Sequence, residues 1–482
     1  MKKEFLFIVA LLAGFMPAGA NAQSRGQVED EVPVQVKACE DHLTQASANA
    51  EKDNEMVYSL LDSMKNPSTT SLNDSLSYTY GTFEQMVLEY SQTLKQSVSQ
   101  QIAMQKAMQV AKTSFLPSVD ATGGYQYRIN DYDLSMGEMA VPMKHESYSA
   151  GFSVMQPIYM GGSVYYNYKG QKIQSAIAEQ SVELTKDNII FAAENSYWGA
   201  AAQKEMFQVM CRYSDIVGHL LSVLQDRYND GMISKTDLIQ MEVRKKEAEM
   251  QRLNAWEQYK LATQNMNVLM GKAPTDSVNV AESISTEIGE TTLANTESVM
   301  NIRPDLAISK LNVDYQKNQI RLGTAKYNPT LSVGYQGTWG TQMININGDT
   351  QFNSTLMVSL KIPVFHWGAR FKQHAAQKAL YNQSRFALQD KQDQISKELA
   401  STWTKLEESR KRIDIAEKNC KLADENLDLN TFSYQEGKLS ILDVLSAQLT
   451  WIQAYTNLVQ SHYQQKIALA NYKKASGVRY MK

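Results

Sequence analysis

The sequence predicts an α+β membrane protein in which long coiled-coil helices carry two β-hairpins of membrane-crossing length, the whole chain being built twice. Three observations predict it. A helix-to-helix turn recurs after 206 residues. Two pairs of alternating segments each run for about ten residues, the length that crosses a bilayer at a tilt. The helical runs between them are very long and share a heptad register.

The recurring turn is Tyr434-Gln435-Glu436-Gly437-Lys438-Leu439-Ser440-Ile441-Leu442-Asp443. Glycine is the residue type that stops a helix in a left-handed conformation. Ser440 then offers an N-cap oxygen, and Asp443 completes the Ser-x-x-Asp pattern of a capping box. The same arrangement occurs earlier from Tyr228 through Gly231 and Ser234 to Asp237. The offset of 206 also relates Pro157 to Pro363, Gly162 to Gly368 and Gly271 to Gly477. Pro117 and Pro329 lie 212 apart, so insertions fall between these blocks. A unit of this length is too long for a solenoid repeat and points to a duplicated half-molecule.

Residues 1–22 read as a secretory signal, with Lys2 and Lys3, an apolar run from Phe5 to Phe15, and Ala20-Asn21-Ala22 before Gln23. Residues 23–80 read as a polar N-terminal extension with a short helix around Asp53 to Met64. The first repeat is expected over 81–271, as helix, β-hairpin, long helix and helix. Thr82 to Phe115 is helical in pattern, without Gly or Pro. At Leu116-Pro117 the period becomes two, with Val119, Ala121, Gly123, Tyr125 and Tyr127 on one face, and it resumes with Ala150, Phe152 and Val154 after a polar loop from Arg128 to Glu146. Val164 to Asn229 contains no Pro and spans about 100 Å as a helix. Met232 to Met270 adds about 58 Å and Thr82 to Phe115 about 50 Å, so the two shorter helices match the long one if stacked end to end beside it.

Residues 272–303 read as a polar linker, and Arg303-Pro304-Asp305-Leu306 restarts the helix for a second repeat over 304–477. Leu331, Val333, Tyr335, Gly337 and Trp339 alternate there, and after a loop from Trp339 to Asn353 so do Leu356, Val358, Leu360 and Ile362. Met241, Ala248, Ala255, Ala262 and Leu269 fall at strict sevens, as do Ala447, Ala454, Ser461, Ala468 and Ala475, which marks a coiled-coil seam of closely approaching helices. Aromatic clusters follow each hairpin, Tyr159, Tyr165, Tyr166 and Tyr168 in the first half and Phe365, Trp367 and Phe371 in the second. They fit either a membrane-interface girdle or packing at the strand-to-helix corner.

The charge balance, 48 Lys and Arg against 51 Asp and Glu, lacks the basic excess a nucleic-acid binder needs. The three Cys are unevenly spaced and the six His lack metal-ligand spacing, so neither a disulfide framework nor a metal site is expected. No phosphate loop or nucleophile elbow occurs, so no catalytic residue or cofactor is expected and the chain does not read as an enzyme.

Four strands cannot close a barrel, and an open sheet edge is not tolerated in lipid, so several chains must pool their strands; three would supply twelve. Here the chain resembles the TolC-like outer membrane factor family over about residues 81 to 477. The marks are the duplicated halves, Arg303-Pro304-Asp305-Leu306, the two Gly-x-x-Ser-x-x-Asp turns and the Pro157/Gly162 and Pro363/Gly368 corners. The resemblance implies a homotrimer with a twelve-stranded barrel in the outer membrane, a long α-helical coiled-coil barrel in the periplasm and an equatorial collar from the linker and chain ends. It implies the outer membrane component of a tripartite efflux pump or type I secretion system. A periplasmic membrane-fusion adaptor would open this passive duct for an inner-membrane RND or ABC transporter.

The resemblance places Tyr228, Gly231, Ser234, Tyr434, Gly437 and Ser440 at the adaptor-contact tip. It makes Asp443, with Asp237, the pore gate, where a ring of carboxylates would favour cations. Both aspartates equally fit plain helix capping. The chain departs from the family pattern at Ser446, where a second aspartate is usual, and at Leu439, where the tip turn carries an arginine. The rival reading is a soluble periplasmic coiled-coil scaffold or adaptor, which accounts for the heptads but not for the hairpins. A trimeric surface adhesin would gather its strands at one end of the chain.

Overall fold

A computed structural model describes residues 77–130, 133–136, 139–142, 144–289, 291–341 and 349–478. The signal, the extension up to residue 76 with its expected helix, and the loop tip 342–348 lie outside the described residues. In chain order the elements are β1 (Ser77–Tyr78), α1 (Tyr80–Tyr90), α2 (Gln92–Thr113), β2 (Ser118–Tyr127), β3 (Asp133–Met136), β4 (Met139–Pro142), β5 (Glu146–Met160), α3 (Ser163–Asn229) and α4 (Lys235–Leu269). After these come β6 (Asn279–Val280), α5 (Thr296–Ile302), α6 (Pro304–Ala325), β7 (Thr330–Thr341), β8 (Thr350–Lys361), α7 (Ala369–Gln435) and α8 (Ile441–Ser476).

Helix α3 packs against α2 and α6 and also against α4 and α8, while α7 packs against α6 and α8. Each 67-residue helix is therefore flanked by shorter ones that succeed each other along its length. The heptad positions fall where the seam needs them: Met241, Ala248 and Ala255 are buried in α4, and Ala447, Ala454 and Ala475 in α8. Beyond Ala255 the contact face of α4 drifts to bury Thr263 and Met266, and between Ala454 and Ala475 that of α8 buries Gln465 and Ala470. A straight helix of 3.6 residues per turn drifts by about 20° per heptad, which accounts for the shift.

Two expectations need correction. The helix from Thr82 to Phe115 is two helices, broken at Ser91, whose side chain accepts from Leu94 N–H at 3.3 Å and so caps α2. The loop from Arg128 to Glu146 contains a further small hairpin, β3 paired with β4, and β5 runs for 15 residues rather than ten.

One antiparallel sheet of order β2-β5-β7-β8 joins both hairpins through the β5–β7 pair. Its register places Val119, Val154, Tyr335 and Leu356 in one row across the four strands, and Ala150, Trp339 and Phe352 in another. The opposite face carries rows of Asp120, Ser153, Gln336 and Thr355, and of Thr122, Gly151, Thr338 and Asn353. The sheet therefore has one apolar and one polar face, because side chains alternate across a strand. Gly337 lets the rings of Phe152 and Phe352 close over the backbone, where a Cβ would stand 3.1 and 2.9 Å from them. Edge strand β2 is exposed along its whole length and β8 nearly so.

Each strand-to-helix corner turns through left-handed residues, Gly161 (φ 64°) and Gly162 (φ 89°) before α3, and Trp367 (φ 50°) and Gly368 (φ 71°) before α7. Mid-chain, β1 pairs in parallel with β6. The Tyr197 hydroxyl donates to the Tyr78 carbonyl at 3.0 Å, and buried Lys466 sits 4.4 Å over the Trp198 ring while donating to the Thr286 carbonyl. At the start of α6, Arg303 donates to Asp305, to Glu398 of α7 and to the Ala475 carbonyl at the end of α8. Among the described residues no helix is long and apolar enough to cross a membrane.

Candidate functional site

The two helix-to-helix turns lie side by side at one end of the coiled coil. Helix α3 ends in paired bonds from Gly231 N–H to the Tyr228 carbonyl and from Met232 N–H to the Arg227 carbonyl, at 2.9 and 2.8 Å. Helix α7 ends alike, from Gly437 N–H to Tyr434 and from Lys438 N–H to Ser433, at 3.0 and 2.9 Å. This is the Schellman closure, which needs a left-handed residue at its glycine, and both glycines have φ 74°. Around both there is open space, so their role is conformational.

The Ser and Asp of each turn divide the capping work differently. Ser234 accepts from the Asp237 N–H at 3.2 Å and caps α4. At α8 the Asp443 carboxylate accepts from the Ser440 N–H at 3.0 Å and from the Ser440 hydroxyl at 2.8 Å. Asp443 is exposed and Asp237 half-buried. Gly231, Ser234, Gly437 and Ser440 are exposed, Tyr228 is half-buried and Tyr434 buried. The structure thus brings all eight expected residues together at two adjoining turns.

What fastens the turns together is a residue that the motif reading passed over. The Arg227 guanidinium donates to the Tyr434 carbonyl at 3.3 Å and to the Gln435 carbonyl, and lies 5.6 Å from the Tyr434 ring centroid. It brings a positive charge to the negative end of α7, as a donor to the Gln435 carbonyl and a further donor to a Tyr434 carbonyl that Gly437 already engages. Burial pushes the Tyr434 phenol above its ordinary pKa; the Asp237 carboxylate adds to this and Arg227 opposes it. The signal available in the sequence was an arginine in the last turn of α3, but its partner lies on another helix.

Above the turns, α3, α7 and α8 line an open cleft of about 760 Å³. In its wall Asp424 accepts from Trp451 Nε1 at 2.6 Å and from the Tyr455 hydroxyl at 2.9 Å. Burial, reinforced by Asp424, pushes the Tyr455 phenol up to about 12. Among the described residues no group of three or more His, Cys, Asp and Glu is placed to hold a metal ion.

Comparison with known proteins places this geometry. The sequence matches the family described as outer membrane efflux protein over residues 84–272 and 297–478. It is 20% identical over 388 residues to the proteases secretion protein PrtF of Dickeya chrysanthemi, covering 78% of this chain and 83% of that one. The fold is similar to the outer membrane protein VceC of Vibrio cholerae, with a TM-score of 0.71 and 16% identity over 83% of this chain and 96% of that one. It is also similar to the Campylobacter jejuni CmeC outer membrane channel, with a TM-score of 0.72 and 14% identity over 83% of this chain and 86% of that one.

Proposed function

This chain belongs to the outer membrane efflux protein family, and from that premise we propose that three copies form a passive exit duct through the outer membrane. The protein is an outer membrane protein with the fold of the TolC-like channels. The observation that carries the trimer is the sheet. It has an apolar and a polar face and two exposed edge strands, and an open edge cannot persist in hydrocarbon. Three sheets joined edge to edge make a closed barrel of about twelve strands, with the apolar rows toward lipid and the polar rows toward a water-filled lumen.

In this reading the coiled coil continues the lumen into the periplasm and the paired turns close its far end. Residues 272–303 with β1 and β6 form a collar around the helices. The turn residues Tyr228, Gly231, Ser234, Tyr434, Gly437 and Ser440 meet the periplasmic adaptor, and Asp443, with Asp237 behind it, sets the charge at the constriction. The inner-membrane transporter, of RND or ABC class, supplies energy and selects cargo. The relation to PrtF, a proteases secretion protein, keeps protein export beside small-molecule efflux.

The test is the mass of the detergent-extracted outer-membrane species, by light scattering corrected for bound detergent. A particle of three chains is expected. A water-soluble monomer would mean that the hairpins never enter lipid and would leave a periplasmic scaffold in place of a duct.

A further inference from the structure

The internal repeat shows which contacts a single chain leaves unmade. Helix α3 packs against α2 and α6 and against α4 and α8. Its counterpart α7, also of 67 residues, packs against α6 and α8 but against neither α2 nor α4. In the sheet β5 lies between β2 and β7, whereas its counterpart β8 borders β7 alone. Each missing contact is the counterpart of one that is present: β8 with β2 repeats β5 with β7, α7 with α2 repeats α3 with α6, and α7 with α4 repeats α3 with α8.

The side chains on the bare flanks agree. Val209 of α3 and Leu445 and Val459 of α8 are buried in one core cluster, with Ile216 packed on it. Moved by 206 residues, these positions become Ile415 and Leu422 of α7 and Ile239 and Leu253 of α4, which are 47–66% exposed. Leu429, also exposed, continues the α7 row at strict sevens, the spacing of a helix seam. Apolar positions that are buried at the junction of the halves and exposed at both flanks of the chain fit a second copy of the same chain.

We infer that the α4 flank of one copy docks on the α7 flank of the next in the register that α8 keeps on α3, and that this sets Glu257 of one copy against Lys405 of the next. Inside the chain, the Tyr463 hydroxyl of α8 donates to Asn195 of α3 at 2.8 Å, and a Cβ on Gly199 would stand 4.0 Å from the Tyr463 ring. The counterparts of Tyr463, Asn195 and Gly199 are Glu257, Ser401 and Lys405. Glu257 and Lys405 are both exposed in the single chain. An ion pair thus stands where a tyrosine lies on a glycine, and it specifies the register: a slip of one helical turn either way would set Lys405 against Leu253 or Leu261. The contact is head-to-tail, so it is satisfied at every flank only in a closed ring. The inference rests on the duct reading and gives its assembly a register.

The experiment treats the full-length protein, extracted in a non-ionic detergent, with a water-soluble carbodiimide, which joins a carboxylate to an amine in contact with it. Denaturing electrophoresis separates covalent multimers from single chains, and mass spectrometry of the peptides reads which residues are joined. An amide between Glu257 and Lys405 is expected in the multimers and absent from single chains, and Glu257→Gln removes it. Glu257→Lys lowers the fraction of untreated assembly that survives warming, and adding Lys405→Glu restores it. Both residues are exposed within one chain, so these variants keep the fold. Multimers without the amide, Lys405 joined to a different acid of α4, or a charge swap that fails to restore the assembly would each overturn the register. A light-scattering mass of three chains would then leave the duct reading standing, whereas a monomer would overturn both.

Discussion

The two halves of the chain share backbone geometry and differ in the side chains that anchor it. Helices α3 and α7 both have 67 residues, α2 and α6 both have 22, and Gly231 and Gly437 hold the same φ. The anchors diverge. Helix α2 starts on a Ser91 cap, whereas α6 starts on the Arg303 ion network. The corner before α3 uses two glycines, whereas that before α7 uses Trp367 and Gly368. One turn carries Arg227, and the position 206 residues on is Ser433. Most of these differences lie where the halves touch: Arg227 reaches α7, and Asn328 donates to the Gly161 carbonyl at 2.8 Å. Glycine fixes the turn locally, so side chains at matching positions are free to do different work across the interface.

The largest expected contrast is between the corners. A Cβ on Gly161 would lie 2.5 Å from the Ala325 carbonyl oxygen, at φ 64°, whereas Gly368 has nothing within 4 Å. Gly161→Ala should cost about 3 kcal/mol or more from strain and overlap together, and Gly368→Ala only about 1 kcal/mol from the left-handed backbone. Thermal unfolding of the extracted protein measures both. Equal losses would break the view that only the first corner is packed against the other half.

The next contrast is between the turns. Arg227→Ala removes two hydrogen bonds from a charged donor, each worth about 1.5–3 kcal/mol at most, while Ser433→Ala removes no bond to the other turn. Amide exchange over residues 430–440 should quicken in the arginine variant alone, and closed-channel conductance in planar bilayers should rise. Unchanged exchange would show that packing of Tyr434, rather than the clamp, holds the turns together.

These contrasts also explain how much was legible in the sequence. The turns were, because a Gly-x-x-Ser-x-x-Asp run carries its own left-handed stop and its own cap. The strand faces were, because a period of two specifies a half-buried sheet at each residue. The break at Ser91 was not: a serine within a run of Gln, Met and Ala is tolerated by a helix, and only the docking of α1 against α3 makes it a cap. The hairpin β3–β4 lay in a stretch read as loop from Asn130, Asp131, Gly137 and Pro142, residue types that mark loops and strand turns alike. Arg227 escaped because its partners lie on another helix, which no local pattern records.

Helix starts give the third contrast. Burial alone would raise the Asp305 carboxyl, but hydrogen bonds and charge from Arg303 and Lys391 prevail and hold it at about 2. A depressed carboxylate stabilises the fold above its unfolded value near 4 and loses that contribution as the pH falls through 2. The window is therefore about pH 4 to 2, and the contribution is on the order of 2 kcal/mol. Asp305→Asn should flatten the melting curve's dependence on pH in that window, while Ser91→Ala, which costs about 1 kcal/mol at any pH, should leave it unchanged. Parallel pH profiles for wild type and Asp305→Asn would refute the assignment.

The smallest effect on stability belongs to the aspartates of the turns, and it separates charge from capping. Asn retains an acceptor oxygen, so Asp443→Asn can still accept from Ser440, and its unfolding free energy should stay within about 0.5 kcal/mol of wild type. Asp237 contributes its backbone N–H to the Ser234 cap, so Asp237→Asn keeps that bond as well. The two variants therefore differ in where the charge stood: exposed at the turn for Asp443, half-buried near Tyr434 for Asp237. In the proposed trimer three exposed Asp443 carboxylates ring the constriction and draw cations. Bilayer recordings should show cation preference falling in Asp443→Asn and holding in Asp237→Asn. If both variants keep wild-type preference, Asp443 is a helix cap and nothing more, and selectivity is set elsewhere along the lumen.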